Sequence, residues 1–517
     1  MRRSTALLRR LTPLPLLALA ACALTDRDAE APRPDRQPNI LLFLVDDLGW
    51  QDLSVALASE RTGFNDRYRT PAVERMARQG LRFTQAYTAS PVCTPTRTSI
   101  LRGQHPARTR ITDWTLHIDR DFSRGMPELG DAPWRREGLA PGPELLTERL
   151  RAAGYRTIHV GKAHFGAIGT PGADPFQMGF DRNVAGHAAG GPGSYLGTEN
   201  YGNGKPGPWG VPGLEAYHGT ETFLTHALTL EAEKELELAA RDGRPFFMNM
   251  AHYAVHAPIH KDERFYQQYR DAGLDDAEAR YAGLIAGYDD SLGRLWAKLE
   301  ALDLADDTLI VFYSDNGGLT AHARGAAPDG GTKDVHNAPL RSGKGSGYEG
   351  GIRVPMLVCW AGDEDHGLPV PVGETVDAPV LSTDLYVTLL QLAGIDEATI
   401  AAGEPDGQSF LPLLAGATEL EQRRPLAWHY PHKWGPRGDR YEPFTAYREG
   451  RWKIVYWYES RVWELYDLET DLGEAHDRMQ DAPQVAARMQ EAMRAWMRTT
   501  DAQRPTDKAT GEMLPVP

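Results

Sequence analysis

Runs of apolar residues that end abruptly in polar ones set the pattern of this chain. The clearest run covers residues 39–45, and similar runs cover 245–250 and 308–313, while 156–160 mixes apolar and polar residues and is also predicted to be a strand. Continuous apolar runs of this length are typical of strands buried on both faces of a parallel sheet. Between them, apolar residues recur at helical spacing. Helices that alternate with apolar strands predict an α/β fold with a large mixed, mostly parallel sheet flanked by helices.

The pattern changes beyond about residue 415. Residues 444–448, 452–458 and 461–467 alternate between apolar and polar positions, and 483–497 has helical spacing. This predicts a C-terminal α+β subdomain over 416–517, with a small antiparallel sheet, next to a catalytic domain over 39–415.

Two segments are candidates for substrate contact. Residues 186–213 are dominated by Gly and Pro and include His187 and several aromatic residues, which favours an ordered substrate-facing loop over a flexible linker. Trp428 and His432 lie in a polar segment rich in Pro and Gly, and we expect them to contact a sugar. Other C-terminal aromatic residues are expected to pack within the sheet.

The N-terminus has the features of an export signal. Four arginines within the first ten residues precede an apolar run over 14–21, which is too short to span a membrane. The run ends in Leu19-Ala20-Ala21-Cys22, which resembles a bacterial lipoprotein box. That resemblance implies a signal peptide over 1–21, a lipid on Cys22, a flexible tether over 22–38, and a location in the periplasm or at the outer membrane. The alternative is an ordinary signal cleaved after small residues.

Composition excludes some partners. The chain has 71 acidic and 56 basic residues and a formal net charge of −15, so no basic face for nucleic acid is expected. Contact with a membrane is expected through the lipid anchor alone. The chain has three cysteines in 517 residues, so no disulfide framework is expected.

Four of the predicted strands end in polar side chains that suit a reaction centre. These side chains are Asp46 and Asp47, Lys162 and His164, His256, and Asp315 with Asn316. In open α/β sheets, ligands bind at the carboxyl edge of the strands, so all of them could meet in one cleft. The carboxylates and the amide are oxygen donors of the kind that hard cations require, and Ca²⁺ is expected in preference to Mg²⁺.

Cys93 begins a short turn that leads into a predicted helix. Pro95 suits the first turn of a helix, which places the thiol near a helix N-terminus. Taken alone, such a cysteine is more often a buried, inert thiol than a functional one.

The segment Cys93-Thr94-Pro95-Thr96-Arg97, with Leu101 and Gly103, resembles the signature of the type I sulfatases in the alkaline-phosphatase-like superfamily. The resemblance implies that a maturation enzyme oxidises Cys93 to formylglycine. The other motifs of that family also occur in order, although Arg102-Gly103-Gln104 replaces its usual Thr-Gly-Arg and Ala163 replaces an aromatic residue. They are matched at Asp46-Asp47, Gly161 to His164, His256, Asp315-Asn316 and Lys344.

The resemblance implies a sulfate-ester hydrolase and assigns roles to these residues. The metal would be bound by Asp46, Asp47, modified Cys93, Asp315 and Asn316. Arg97 would hold the formylglycine hydrate, His164 would act as a base, and Lys162 and Lys344 would neutralise sulfate oxygens. His256, alone or with Lys344, would protonate the leaving alcohol.

The expected substrates are sulfated polysaccharides or glycosaminoglycans. Two alternatives stay open: a phosphate or phosphonate ester hydrolase of the same superfamily, and a non-catalytic glycan-binding surface lipoprotein.

Overall fold

The computed structural model describes residues 1, 34, 36–121, 123, 125–205, 207–324, 335–421, 424–435 and 440–517, without the side chains of residues 321 and 322. The predicted signal peptide, Cys22 and most of the predicted tether lie outside these residues. Residues 32–517 form one compact unit, and residues 1–31 are a separate unit. Within the described ranges, every helix is too short or too polar to cross a membrane.

The strands alternate with helices over the first three quarters of the chain. In chain order the strands are β1 (Asn39–Val45), β2 (Leu81–Tyr87), β3 (Leu129–Gly130), β4 (Arg156–Gly161), β5 (Arg182–Val184), β6 (Phe246–Ala251), β7 (Thr308–Ser314), β8 (Arg353–Trp360), β9 (Thr375–Val376), β10 (Val380–Leu381), β11 (Leu426–Tyr430), β12 (Phe444–Glu449), β13 (Trp452–Trp457), β14 (Val462–Asp467) and β15 (Thr506–Asp507).

The helices range from single turns to the long α8. They are α1 (Gly63–Arg67), α2 (Pro71–Gln79), α3 (Cys93–Arg102), α4 (Pro106–Thr109), α5 (Leu146–Ala152), α6 (Leu224–Asp242), α7 (Tyr266–Asp271), α8 (Asp276–Ala301), α9 (Ala321–Arg324), α10 (Glu349–Ile352), α11 (Ser382–Leu392), α12 (Glu397–Ala401), α13 (Leu411–Leu414) and α14 (Pro483–Thr499).

The large sheet contains nine strands of the described chain in the order β10-β2-β8-β7-β1-β6-β4-β5, with β9 beside β2. β1 lies between β6 and β7 and is parallel to both, while β8 is antiparallel to its neighbours β2 and β7. All seven residues of β1 are buried, as a strand covered on both faces requires. The predicted mixed, mostly parallel sheet is confirmed.

The second sheet is antiparallel, in the order β11-β12-β13-β14. The three strands predicted from alternation are present as β12, β13 and β14, and the closing helix is α14. β11 corrects the sequence analysis, because residues 428–434 were expected to lie in a polar loop rich in Pro and Gly, and residues 428–430 belong to this strand. Its alternate residues Leu426, Trp428 and Tyr430 face a core that they share with Tyr87 of β2 and with Tyr348, which precedes α10.

A buried ionic cluster joins the two sheets, and we call Glu349, Lys453 and Glu474 the Lys453 cluster. Lys453 Nζ lies 3.0 Å from Glu349 Oε1 and 2.8 Å from Glu474 Oε1. The Glu349 N–H donates to Glu474 Oε2 at 2.7 Å, and Tyr87 Oη donates to Glu349 Oε2 at 2.6 Å. All three side chains are fully buried, so each charge depends on the others for compensation.

Candidate active site

The carboxyl ends of four adjacent strands bring the predicted polar residues together. β7, β1, β6 and β4 are consecutive in the sheet, so the residues that follow them share one edge. Asp47 and His164 follow β1 and β4 with φ angles of 61° and 55°. This left-handed conformation is uncommon for residues other than glycine, and here it turns the chain sharply where each strand ends.

Buried oxygen atoms form a cluster at this edge. Asp46 Oδ1, Asp47 Oδ2 and Asn316 Oδ1 are buried and have no hydrogen-bond partner among the described residues. One ligand atom from each of Asp46, Asp47 and Cys93 lies within 4.8 Å of the other two. Buried polar atoms are rarely left without a partner. This donor set therefore fits a divalent cation that binds oxygen ligands.

Asp315 fixes the position of its neighbours. Its Oδ1 accepts from the Asp47 N–H at 3.1 Å, and its Oδ2 accepts from Arg97 Nε at 2.8 Å. Arg97 Nη1 also donates to the Lys162 carbonyl at 2.7 Å, so the guanidinium links α3 to the end of β4. Asn316 Nδ2 donates to Asp47 Oδ1 at 2.8 Å, which leaves the Asn316 carbonyl oxygen available for a ligand.

Gly317 allows this loop to pack tightly against α10. A Cβ atom on Gly317 would lie 1.9 Å from the Gly350 carbonyl oxygen, a distance that no side chain could occupy. The Gly317 N–H donates to the Gly351 carbonyl at 2.9 Å. The segment that follows Asn316 is thereby held against the segment that follows Lys344.

Three buried cations, Arg97, Lys162 and Lys344, face the carboxylates. Lys162 Nζ lies 2.6 Å from Asp46 Oδ2, and Lys344 Nζ lies 2.6 Å from Asp47 Oδ1. Burial raises the pKa of Asp46, with a further contribution from Asp315, whereas Lys344 and His256 outweigh burial and lower the pKa of Asp47. Burial opposes the charge on Lys344, but Asp47 raises its pKa above the usual value, so Lys344 keeps its proton.

Cys93 is the first residue of α3 and is 3 % exposed. Its Sγ lies 3.7 Å from Lys344 Nζ. Burial raises the pKa of the thiol to about 11, although Lys162 and Lys344 lower it. The unmodified side chain is therefore protonated at neutral pH, and a thiol is a much weaker nucleophile than a thiolate.

His164 presents a free ring nitrogen to the site. Its Nε2 donates to the Thr115 carbonyl at 2.8 Å, because a carbonyl can only accept. Nδ1 then carries the lone pair, and it is buried without a hydrogen-bond partner in the described ranges. Burial lowers the pKa of His164, with a further contribution from Lys162, so the ring is neutral. A neutral imidazole with a free Nδ1 can accept a proton.

His256 lies on the open side of the cluster, with its side chain 23 % exposed. Its Nδ1 donates to the Ala257 carbonyl at 2.6 Å, and its Nε2 lies 3.8 Å from Asp47 Oδ2. Burial lowers its pKa to about 3, Lys344 contributes further, and Asp47 opposes the shift. Of His256 and Lys344, Lys344 is therefore the group that holds a donatable proton at neutral pH.

The residues predicted to contact substrate lie in different environments. Trp428 is fully buried and its indole N–H donates to the Thr88 carbonyl at 2.8 Å, so the prediction of a sugar contact is wrong. His187 is half-buried and its carbonyl accepts from the His164 N–H at 3.1 Å. His432 is fully buried near Asp113 and Asp121, outside the cluster of catalytic residues.

Two tryptophans border the site. The Lys344 ammonium lies 5.3 Å from the centroid of the Trp434 ring, and Trp434 is half-buried. The Trp114 ring centroid lies 6.4 Å from that of His164. Trp114 carried no signal in the sequence, because neither its spacing nor its neighbours distinguished it from a core residue.

The arrangement combines buried acidic side chains that could bind a metal ion, a buried cysteine and surrounding cations. A family model described as Sulfatase matches residues 38–395, and one described as N-sulphoglucosamine sulphohydrolase, C-terminal matches residues 343–503. The chain belongs to the sulfatase family and is a sulfuric ester hydrolase.

Three similar proteins illustrate the range of this family. The N-acetylgalactosamine-6-sulfatase of Homo sapiens is 31% identical, covering 84% of this chain and 74% of that protein. The steryl-sulfatase of Mus musculus is 29% identical, covering 80% and 72%. A crystal structure of Ps i-CgsB in complex with k-i-k-neocarrahexaose is 27% identical, with a TM-score of 0.70, and the match covers 89% of this chain and 93% of that chain.

Proposed function

We propose that this sulfatase removes sulfate from sulfated polysaccharide or glycosaminoglycan sugars by means of formylglycine at position 93 and a bound divalent cation, Ca²⁺ in preference to Mg²⁺. The observation that carries the proposal is the set of unpartnered oxygens on Asp46, Asp47 and Asn316 next to Cys93. Hydrated formylglycine would supply the nucleophilic hydroxyl, and the cation would hold it and lower its pKa.

The chain's own residues provide the charge and the proton transfers that such a reaction needs. Arg97, Lys162 and Lys344 place three positive charges where sulfate oxygens would be held, and fixed charges in a buried site stabilise a developing anion strongly. His164 Nδ1, which is buried without a hydrogen-bond partner in the described ranges, would accept a proton from the side chain at position 93. His256, alone or with Lys344, would protonate the leaving alcohol, because both side chains lie next to Asp47.

A carbohydrate substrate is supported by the surroundings of Lys344. The Trp434 ring next to Lys344 offers an aromatic face of the kind on which a sugar ring packs. Two of the similar proteins are named for carbohydrates: one is an N-acetylgalactosamine-6-sulfatase, and the other is described in complex with k-i-k-neocarrahexaose. Because a steryl-sulfatase is also among the similar proteins, a steroid sulfate must be tested as a comparison substrate.

The first experiment is peptide mass spectrometry across Cys93 on protein purified from its own host, combined with hydrolysis assays. We expect an aldehyde in place of the thiol, and release of sulfate from sulfated galactose or galactosamine saccharides in preference to a steroid sulfate or a phosphate ester. Cys93→Ala should abolish release, whereas Cys359→Ala, which removes a fully buried thiol in β8, should not.

Three results would contradict the proposal. A steroid sulfate or a phosphate ester as the best substrate would change the substrate class. An intact thiol in active enzyme would refute the formylglycine mechanism. Sugar binding without turnover would favour the glycan-binding lipoprotein. Removal of metal with EDTA should abolish activity, and Ca²⁺ should restore more of it than Mg²⁺ does.

We also propose that the protein is exported and lipid-anchored through Cys22. The support is the sequence of the first 22 residues, with its arginines, apolar run and Leu-Ala-Ala-Cys ending. Cys22→Ser should move the protein from the membrane fraction to the soluble fraction of the host. An unchanged membrane fraction for this variant would refute the anchor.

A further inference from the structure

A second group of potential metal ligands lies outside the catalytic cluster. One ligand atom from each of Asp113, Asp121 and His432 lies within 4.8 Å of the other two. Asp113 and Asp121 belong to the segment between α4 and β3, whereas His432 follows β11 of the C-terminal sheet. The group therefore joins two parts of the chain that are more than 300 residues apart in sequence.

Two of the three side chains present an unsatisfied atom. Asp113 Oδ2 and His432 Nδ1 are buried without a hydrogen-bond partner in the described part of the chain, and both residues are fully buried. Leaving such atoms unpaired destabilises the folded state, because their bonds to water are lost and not replaced. A ligand that bonds a carboxylate oxygen and an imidazole nitrogen at the same time would remove both costs.

The opposite atom of His432 is already bonded. His432 Nε2 lies 2.8 Å from Thr112 Oγ1, and an Nε2–H that donates to this hydroxyl leaves the lone pair on Nδ1. The rings of Trp134 and Tyr430 flank the imidazole, each at a centroid distance of 5.5 Å. Metal-binding histidines characteristically have their other nitrogen held by an oxygen in this way.

The two carboxylates are also fixed by neighbouring donors. Asp113 Oδ1 accepts from Tyr430 Oη and from the Trp114 N–H, each at 2.8 Å. Asp121 Oδ1 accepts from the Ser123 N–H, and its Oδ2 accepts from the indole of Trp134 and from Arg136, with all three distances 2.9 Å. Asp113 Oδ1 and Asp121 Oδ2 each accept two bonds, so Asp113 Oδ2 and the second lone pair of Asp121 Oδ1 are left for a cation.

We propose that Asp113, Asp121 and His432 bind a divalent cation of the zinc class, at a site separate from the catalytic cation. A nitrogen donor combined with two carboxylates suits Zn²⁺, whereas Ca²⁺ takes oxygen ligands. Arg136 offsets one of the two negative charges, which leaves the site with a net charge of −1 when both carboxyls are ionised. The Asp121 side chain is 14 % exposed, so an ion has a route of entry.

This cation would hold the segment that contacts the catalytic base. Thr115 follows Asp113 by two residues, and its carbonyl accepts the hydrogen bond from His164 Nε2. A metal on Asp113 and His432 would tie that segment to the C-terminal sheet. The site is therefore a structural connection next to the reaction centre.

Metal analysis of the full-length protein tests the proposal. After equilibration with Zn²⁺ and dialysis, we expect Asp113→Asn to bind one zinc fewer per chain than the wild type. Asp47→Asn removes a predicted ligand of the catalytic cation and should keep this zinc. Asp131→Asn is the matched control, because it removes an exposed carboxylate that interacts electrostatically with Asp121 but belongs to neither ligand set. Loss of zinc in Asp131→Asn as well would show that general negative charge, and not coordination, holds the ion.

Two further measurements do not depend on the folding of a ligand variant. Co²⁺ in the wild-type protein should give visible absorption bands, and excess Zn²⁺ but not Ca²⁺ should abolish them. Tyr430→Phe, which removes a donor to Asp113, should weaken Zn²⁺ affinity by about 10–100-fold. Equal zinc content in the wild type and Asp113→Asn, or displacement of Co²⁺ by Ca²⁺, would overturn the proposal. A wild-type protein that binds no zinc would indicate that water occupies the site.

Discussion

The active-site cluster and the Lys453 cluster are both fully enclosed groups of charges, but they differ in how their atoms are satisfied. In the Lys453 cluster, one lysine contacts two carboxylates, and a tyrosine and a backbone N–H donate hydrogen bonds to them. Glu474 Oε1 has an ion pair with Lys453 but no hydrogen bond in the described part of the chain. In the active site, oxygens of Asp46, Asp47 and Asn316 stay without partners in the part of the chain that is described. The first arrangement pairs oppositely charged side chains within the protein, whereas the second leaves buried oxygens that a ligand could bind.

The largest effect on activity is expected when a charge is removed from the active-site cluster. Asp47→Asn keeps the shape of the side chain but removes a predicted metal ligand and the partner of Lys344. We expect kcat/KM to fall by at least about 10²–10³-fold. Asp289→Asn is the control, because Asp289 is also buried but accepts from the Ala72 and Val73 N–H groups at the start of α2. Its kcat/KM should match that of the wild type, and a comparable loss in both variants would show that removal of any buried carboxylate is enough to lower activity.

A loss of stability, and not of activity, is expected when the Lys453 cluster is changed. Lys453→Met leaves Glu349 and Glu474 buried without their cation, which should lower the free energy of unfolding by about 3–5 kcal/mol. Thermal unfolding would measure this loss, and the fraction that stays folded should keep the wild-type kcat. A fall in kcat with an unchanged melting temperature would show that Lys453 acts on the reaction directly.

The smallest effect is a pH dependence of stability that originates in Glu474. Burial raises its pKa from 4.5 to about 7, Glu349 adds to the shift, and Lys453 opposes it. The folded state therefore holds this proton more strongly than the unfolded chain does. The resulting stabilisation is complete below about pH 4.5 and is lost as the pH rises through 7.

Glu474→Gln removes the titrating group, so its unfolding midpoint should change less between pH 5 and pH 8 than that of the wild type. Urea unfolding at a series of pH values would measure the difference. Parallel profiles for the two proteins would show that Glu474 does not titrate in this window.

The strands that carry the active site were predictable because each is marked by its own residues. β1, β6 and β7 are mostly apolar and are followed by polar residues, so local sequence reveals both the strand and its end, whereas β4 mixes polar and apolar residues. Their order in the sheet was not predictable. β1 pairs with β6 and β7, which begin more than 200 residues later, and no local pattern specifies such pairings.

The residues that the sequence analysis misplaced or missed share one property: their environment is formed by residues that are distant in sequence. Trp428 was expected in a loop because Pro and Gly follow it, yet it packs against Tyr87 in the shared core. Asp113 carried no signal because its partners Tyr430 and His432 are contributed by the C-terminal sheet. Burial of a polar or aromatic residue depends on what covers it, and here the covering residues are far away in sequence.

The enclosure of Cys93 limits when it can be modified. The side chain is 3 % exposed at the start of a helix that is buried over nearly its whole length. An enzyme that oxidises this thiol needs access that the finished fold does not give. If Cys93 is oxidised to formylglycine as proposed, that step would take place while the chain is being synthesised or exported, before residues 308–360 add β7 and β8 to the sheet. The rate of folding would then set the fraction of molecules that become active.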